Sequence, residues 1–395
     1  MLRNINTCLL KKTKGFLIYI YFIPLVIAKY IFKYIPVKKK IVFNNFNGRG
    51  FGDNPQYIAE EILRQGLCYD LVWLVKDMNT EMPEGIRKVK YGTIKSSYEL
   101  STAKVIINNV KNALPYLKKK EQYYIQTWHG ELWLKLVEGE CENLLEPKYI
   151  KESKADSAIT DLLLSGCSID TETFKKSFWY SGEIMEKGMP RYDLFFKATE
   201  KQIIGIKQKL GIKIEYKLAL YAPTFRDDGS VDAYNLDLEL LIRTLEKKTG
   251  DKWVIVVRMH PNASRYICGY SFNERIINGT SISNPQELVL ASNLLITDYS
   301  SIMVDFMILR KPVLLYVPDL VAYSKMRGFR PIYHQLPFVK VLDNNELNEA
   351  ISKLDIEKYR LSIKEFVEKN VKSFDNGHAS ECVVDRIKDV MSNYN

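Results

Sequence analysis

Residues 293–319, NLLITDYSSIMVDFMILRKPVLLYVPD, decide the fold. NLLITDYSS (293–301) is a strand-length apolar run that gives way to a polar turn. IMVDFMILRK reads as a helix, and PVLLYVPD as a second strand opened by proline. Two strands joined through a helix lie parallel, because a short hairpin cannot return the chain to the same end of a sheet. The same unit recurs upstream. KLALYAPTF (217–225) and WVIVVRMHP (253–261) are strands around the amphipathic helix DLELLIRTLEKKTG (237–250), and PQELVLAS (285–292) is a short helix before the quoted stretch. The runs are apolar throughout rather than alternating, as in a sheet covered on both faces.

A looser series precedes it. KIVFNNF (40–46), DLVWLVK (70–76), KVIINNV (104–110) and YYIQTW (123–128) read as strands, and NPQYIAEEILRQG (54–66) as a helix with an asparagine cap and proline in its first turn. The predicted fold class is α/β, with two Rossmann-type domains facing across a cleft. The expected boundaries are a basic apolar segment at 1–40, a first domain at 41–200, a second and more regular nucleotide-binding domain at 201–344, and C-terminal helices at 345–395 packing across both.

Charge and composition narrow the function. The net charge is +10, yet residues 1–40 alone carry Arg3 and eight lysines, and the first carboxylate is Asp53. The body is therefore near neutral, which excludes a basic surface for gripping nucleic acid. The uncharged run Phe16–Ala28 is too short to span a bilayer. Lysines flank it, and Lys29 and Lys33 fall on one side of a helix, a pattern expected of a segment lying on anionic lipid. The expected location is the cytoplasmic face of a membrane, peripheral or monotopic. Six scattered cysteines form neither a disulfide framework nor a zinc pattern, and no metal site is expected. No G-x-G-x-x-G, P-loop or G-x-S-x-G motif follows a strand, so dehydrogenase, P-loop and α/β-hydrolase readings lose their support.

Four strand ends carry the chemistry. QTWHG places His129 beside Gly130, which leaves room for a ligand. His129 is either a general base for a hydroxyl or a structural ring bonded to backbone. RMHP places His260 at a matching point in the other half, with Arg258 two residues earlier on the same face of the strand. ITDYSS brings Thr297, Asp298, Ser300 and Ser301 to a strand-to-helix junction, where the serines either hold a phosphate or cap the helix. YAPTFRDDG offers Arg226 to a phosphate or to a neighbouring aspartate. YSKMRGFRPIY (323–333), with Arg327, is a basic and aromatic loop able to close over a ligand.

Taken together, WHG, YAPTFR, RMHP and TDYSSIMVDF, with GMPRYDLFF (188–196), RGF (327–329) and DNGHAS (375–380), resemble the CDP-glycerol glycerophosphotransferase family in order and rough spacing over about residues 41–390. The resemblance implies a GT-B-like fold and transfer of a polyol phosphate from CDP-glycerol or CDP-ribitol, releasing CMP, without a cofactor. It makes His129 the acceptor's base and His260 the group that stabilises the attacked phosphate. Ser300 and Ser301 would hold the donor phosphates, with Arg226, Arg258, Thr297, Asp298 and Arg327 on the donor side and Gly130 and Lys135 on the acceptor side. The implied partners are anionic lipids and a lipid-linked glycan or polyol-phosphate acceptor of teichoic acid or capsule synthesis; self-association is left open. The departures are ELWLKL (131–136), where the family has a Thr-Pro-Leu-Lys-Lys-like run, and RPIYHQLP (330–337) after RGF. A GT-B nucleotide-sugar glycosyltransferase and a non-catalytic membrane-surface binding protein are the competing readings.

Overall fold

The computed structural model describes residues 23–226, 234–259, 267, 269–282 and 284–392, and of Met326 and Arg327 the backbone only. Its first sheet contains β1 (Lys38–Asn44), β2 (Asp70–Val75), β3 (Ile86–Lys90), β4 (Ala103–Asn108), β5 (Tyr123–Gln126), β6 (Leu162–Ser165) and β7 (Glu183–Glu186). All pair in parallel, in the order β3-β2-β1-β4-β5-β6-β7. The second sheet contains β8 (Lys217–Tyr221), β9 (Trp253–Val257), β10 (Ile276–Asn278), β11 (Leu294–Thr297), β12 (Val313–Tyr316) and β13 (Val339–Val341). It is also parallel, ordered β10-β9-β8-β11-β12-β13. Two Rossmann-like halves follow, as the alternation of strands and helices predicted.

Period-two burial explains why the central strands read as unbroken apolar runs. In β1, Ile41 and Phe43 enter the core beneath one face of the sheet, and Val42 enters the core on the other. In β9, Val254 and Val256 divide in the same way from Ile255 and Val257. Five strands are absent from the sequence reading: IRKVK in β3, EIME in β7, IIN in β10 and VKV in β13 lie at or near a sheet edge, where the apolar signal thins, and LLLS in β6 is buried but only four residues long.

The C-terminal helices divide between the halves. Ile356–Phe366 packs Tyr359, Ile363 and Phe366 into the second half, whereas Ala379–Ser392 returns to the first and buries Val383, Val384, Ile387 and Met391 there.

Each sheet reverses its direction of growth once. The first does so between β1 and β4, the second between β8 and β11. At such a point the two loops diverge and leave a crevice beyond the carboxyl ends of the strands. Both crevices open into one cleft of about 710 Å³, within the usual range for a small-molecule site.

Residues 23–32 are helical. Leu25 and Ala28 are buried, and the Phe32 ring meets Tyr98 edge-on at 5.5 Å. Ile23, Val26, Ile27, Tyr30, Ile31 and Tyr34 are exposed, at the spacing of one helical stripe. Among the described residues no helix is long and apolar enough to cross a membrane.

Candidate active site

The first half supplies His129. It lies just after β5 and lines the cleft. Its Nδ1 is 2.5 Å from the carbonyl oxygen of Asn109, at the end of neighbouring β4. A carbonyl only accepts, so Nδ1 carries the hydrogen and Nε2 keeps its lone pair. Burial lowers the His129 pKa, which keeps the ring neutral near pH 7. Asn109 does more than orient the ring: its side chain accepts from Phe46 N (2.8 Å) and donates to Asn45 Oδ1 (2.8 Å), tying the loop after β1 to the histidine. Phe46 packs edge-on against the imidazole, with centroids 5.2 Å apart.

The backbone around His129 is held from two further sides. Asn54 Nδ2 donates to Trp128 O at 3.1 Å, and Arg191 NH1 donates to His129 O at 3.1 Å. Trp128 itself sits at φ 55°, a left-handed conformation that a bulky residue rarely adopts without such support. Here the sequence reading of Asn54 needs correcting. The helix is Asp53–Arg64 with Gly52 at its cap position, and Asn54 lies inside the first turn, where it fastens Trp128 and accepts from Arg191 N at 3.1 Å.

The second half supplies a half-buried cation and a pair of serines. Arg258, immediately after β9, lines the cleft; among the described residues its Nε has no hydrogen-bond partner, and burial lowers its pKa. Ser300 and Ser301 line the opposite stretch, ahead of the helix Ile302–Ile308. The two halves come close here: a Cβ on Gly130 would stand 3.3 Å from Ser301 Oγ. Gln286 also lines the cleft, with Nε2 donating to Asp305 Oδ2 at 3.3 Å and Oε1 buried without a partner among the described residues.

Three expected donor contacts stand behind the cleft rather than in it. Arg226 is fully buried and neutralised by Asp298 (2.8 Å) and Asp319 (2.6 Å), with its guanidinium over the Tyr299 and Tyr323 rings. A cation already matched by two carboxylates has little to offer a phosphate. Asp298 also accepts from Thr224 N, Thr224 Oγ1 and Tyr299 N, so it shapes the loops after β8 and β11. Thr297 gives its hydroxyl to Ala222 O at 2.6 Å. Arg327 ends the helix Leu320–Arg327, and its side chain, like all of His260, lies outside the described residues.

Lys135 lines the cleft with its Nζ 5.4 Å from the Tyr323 ring centroid. The segment that carries it, ELWLKL, crosses to the second half, where Trp133 and Leu134 enter the core. Arg330 N donates to Leu134 O (2.9 Å) and its Nε to Lys135 O (3.2 Å), and its guanidinium pairs with Glu140. The two segments that depart from the family pattern therefore pack against each other.

Asn109, Asn54, Arg191 and Asp305 are absent from the sequence-based site. Arg191 and Asp305 do fall within the motifs GMPRYDLFF and TDYSSIMVDF, which was the available signal.

This geometry accompanies clear similarity to known proteins. The profile of the CDP-Glycerol:Poly(glycerophosphate) glycerophosphotransferase family matches residues 28–389. A teichoic acid poly(glycerol phosphate) polymerase of Staphylococcus epidermidis is 32% identical over 367 residues, 89% of this chain and 51% of that protein. The chain thus spans about half the length of that relative. A teichoic acid glycerol-phosphate transferase of Staphylococcus aureus is 29% identical, covering 81% of this chain and 85% of its own. Among solved structures, a variant of the wall teichoic acid polymerase TagF soaked with CDPG superposes with a TM-score of 0.84 at 30% identity, over 99% of both chains.

Proposed function

The chain belongs to the CDP-glycerol:poly(glycerophosphate) glycerophosphotransferase family, and from that premise we propose that it transfers a polyol phosphate, glycerol phosphate first among them, from a CDP-activated donor to a hydroxyl of a membrane-linked acceptor. In this reading the half at 41–200 receives the acceptor and the half at 201–344 holds the donor. The observation that carries it is Arg258: a half-buried guanidinium in the cleft wall whose Nε has no hydrogen-bond partner among the described residues. A charge drawn partly out of water is costly unless paired, and a donor diphosphate supplies an anion in bidentate-compatible form. Ser300 and Ser301 add hydroxyl donors on the facing side.

The acceptor hydroxyl gives its proton to His129 Nε2 as its oxygen attacks the polyol-bearing phosphorus. The new O–P bond forms, the bridging P–O bond breaks, and CMP leaves with the bridging oxygen. A neutral imidazole with its other nitrogen fixed by Asn109 suits this task, and such base assistance is typically worth about 10²–10⁴-fold. His260, Lys135 and Arg327 are assigned to phosphate and acceptor contacts on the motif resemblance.

The exposed stripe on residues 23–32, with Lys29 and Lys33 beside it, supports attachment to an anionic lipid surface on the cytoplasmic side. Replacing Ile27 and Ile31 with aspartate is expected to move the protein from sedimenting vesicles to the supernatant.

The test of the activity is incubation with CDP-glycerol, CDP-ribitol and UDP-sugars in turn, each with a lipid-linked acceptor. CMP release with a CDP-polyol only is the expected result. Turnover of UDP-sugars alone would return the chain to the glycosyltransferase reading, and no turnover of any donor to the binding-protein reading.

A further inference from the structure

Behind His129 lies a run of acids with few cations to balance them. Glu131 and Asp170 lie together, with carboxylate oxygens within 4.8 Å of each other. The Tyr192 hydroxyl stands 2.8 Å from Glu131 Oε1 and 2.8 Å from Asp305 Oδ1, and it accepts from Arg191 NH2 at 2.6 Å. All five side chains are buried. The two contacts Glu131–Tyr192 and Tyr192–Asp305 each require a hydrogen between two oxygens. Tyrosine contributes one, and its burial keeps it protonated. One more hydrogen must therefore come from a carboxyl group. Burial pushes Asp305 up to about 6, and Arg191 lies 3.5 Å from it and 3.7 Å from Glu131. One hydrogen is thus shared between the two carboxyls across the Tyr192 hydroxyl.

Both ends of this run hold the histidine's own segment. Arg191 NH1 donates to His129 O, and Leu132 N donates to Asp170 Oδ1 at 2.9 Å. Asp305 belongs to the helix that follows Ser301, so the run also ties the two halves together. The other titratable groups facing it are Asp53, 3.8 Å from Arg191, the buried Cys167 thiol against Trp133, and Asp375, which burial pushes up to about 7.

We propose that Arg191 is a positioning residue for His129, and that one proton shared between Glu131 and Asp305 across the Tyr192 hydroxyl keeps it in place. Loss of that proton leaves two carboxylates facing one hydroxyl in the interior, which loosens the grip on residues 129–132. Glu131 stands where the family resemblance expects threonine, so this proton dependence is a property of this chain. The inference rests on His129 being the base.

Two variants test it on the full chain, with CMP release from CDP-glycerol as the readout and thermal melting as the check on folding. Arg191→Lys replaces the fork that reaches His129 O and Tyr192 from two nitrogens by a single ammonium, so kcat is expected to fall by about tenfold or more while the donor KM moves by less than about twofold. Glu131→Gln fixes the donor hydrogen permanently, so the alkaline fall in kcat is expected to move up by about one pH unit or more. Full kcat in Arg191→Lys, or a Glu131→Gln profile that overlays the parent, overturns the proposal. If Arg191→Lys does not fold, the Glu131→Gln profile decides alone. His129→Asn separates the two levels: full turnover there sinks the functional reading itself, whereas a dead His129→Asn beside a fully active Arg191→Lys sinks only this inference.

Discussion

Two arginines in the second half, Arg226 fully buried and Arg258 half-buried, make an instructive pair. Arg226 follows β8 and Arg258 follows its neighbour β9, so both leave the sheet at the carboxyl edge where ligands bind. Arg226 meets two carboxylates and two aromatic rings and is electrically finished before any substrate arrives. Arg258 is half-buried, lines the cleft, and has no counter-charge among the described residues. What separates a scaffold residue from a candidate binding residue is its partner as well as its burial. Arg226 shapes the loop that carries Thr224, and Arg258 is the one proposed to meet an anion.

The largest expected effect lies across the cleft from both. His129→Asn should lower turnover by about 10²–10⁴-fold with an unchanged melting temperature, measured as CMP release. Retained turnover would leave Arg258 a binding group without a chemistry to serve.

The next outcome separates the arginines directly. Arg226→Gln leaves Asp298 and Asp319 facing each other in the interior, and breaking a buried pair costs about 3–5 kcal/mol, read as a lower denaturation midpoint. Arg258→Gln removes a half-buried cation with no counter-charge among the described residues and should not lower that midpoint. Equal losses for the two would dissolve the distinction.

How much of this was legible beforehand follows the range of the interactions involved. The parallel halves could be read because βαβ units are written in contiguous runs such as 293–319. His129 could be placed because strand ends are local features. The roles of the arginines could not be read, because Arg226 answers to Asp319, 93 residues on, and no local spacing reveals a partner at that distance. The adjacent Asp227 and Asp228 pointed instead to a neighbouring pair. Arg191 acts through a main-chain carbonyl 62 residues away, and backbone acceptors leave no signature in residue identity. Asn54 resembled a helix cap because cap and tether use the same side chain.

A smaller effect comes from pH. Burial lowers the His129 pKa, so the ring is neutral in the folded protein down to a pH below its ordinary value of 6.5. The stability tied to that neutral ring is present above 6.5 and lost as pH falls through the lowered value. The acid limb of kcat/KM should therefore have its midpoint below 6.5; a midpoint above it would mean that the ring is not the titrating base.

The smallest change is Gly130→Ala. Its Cβ would sit 3.3 Å from Ser301 Oγ, a tight contact that a hydroxyl can yield to at about 1 kcal/mol. A few-fold loss of kcat with little change in melting is expected, and a larger one would show that the two halves cannot part there.

The most direct measurement is calorimetric titration of CDP-glycerol into the parent protein, Arg258→Gln and Arg226→Lys. A charge-assisted hydrogen bond is worth about 1.5–3 kcal/mol, so Arg258→Gln should bind roughly 10–100-fold more weakly while melting no lower than the parent. Arg226→Lys, which keeps the charge between its two aspartates, should bind CDP-glycerol as the parent does. Undiminished binding by Arg258→Gln would contradict the assignment of the donor phosphates to this cleft.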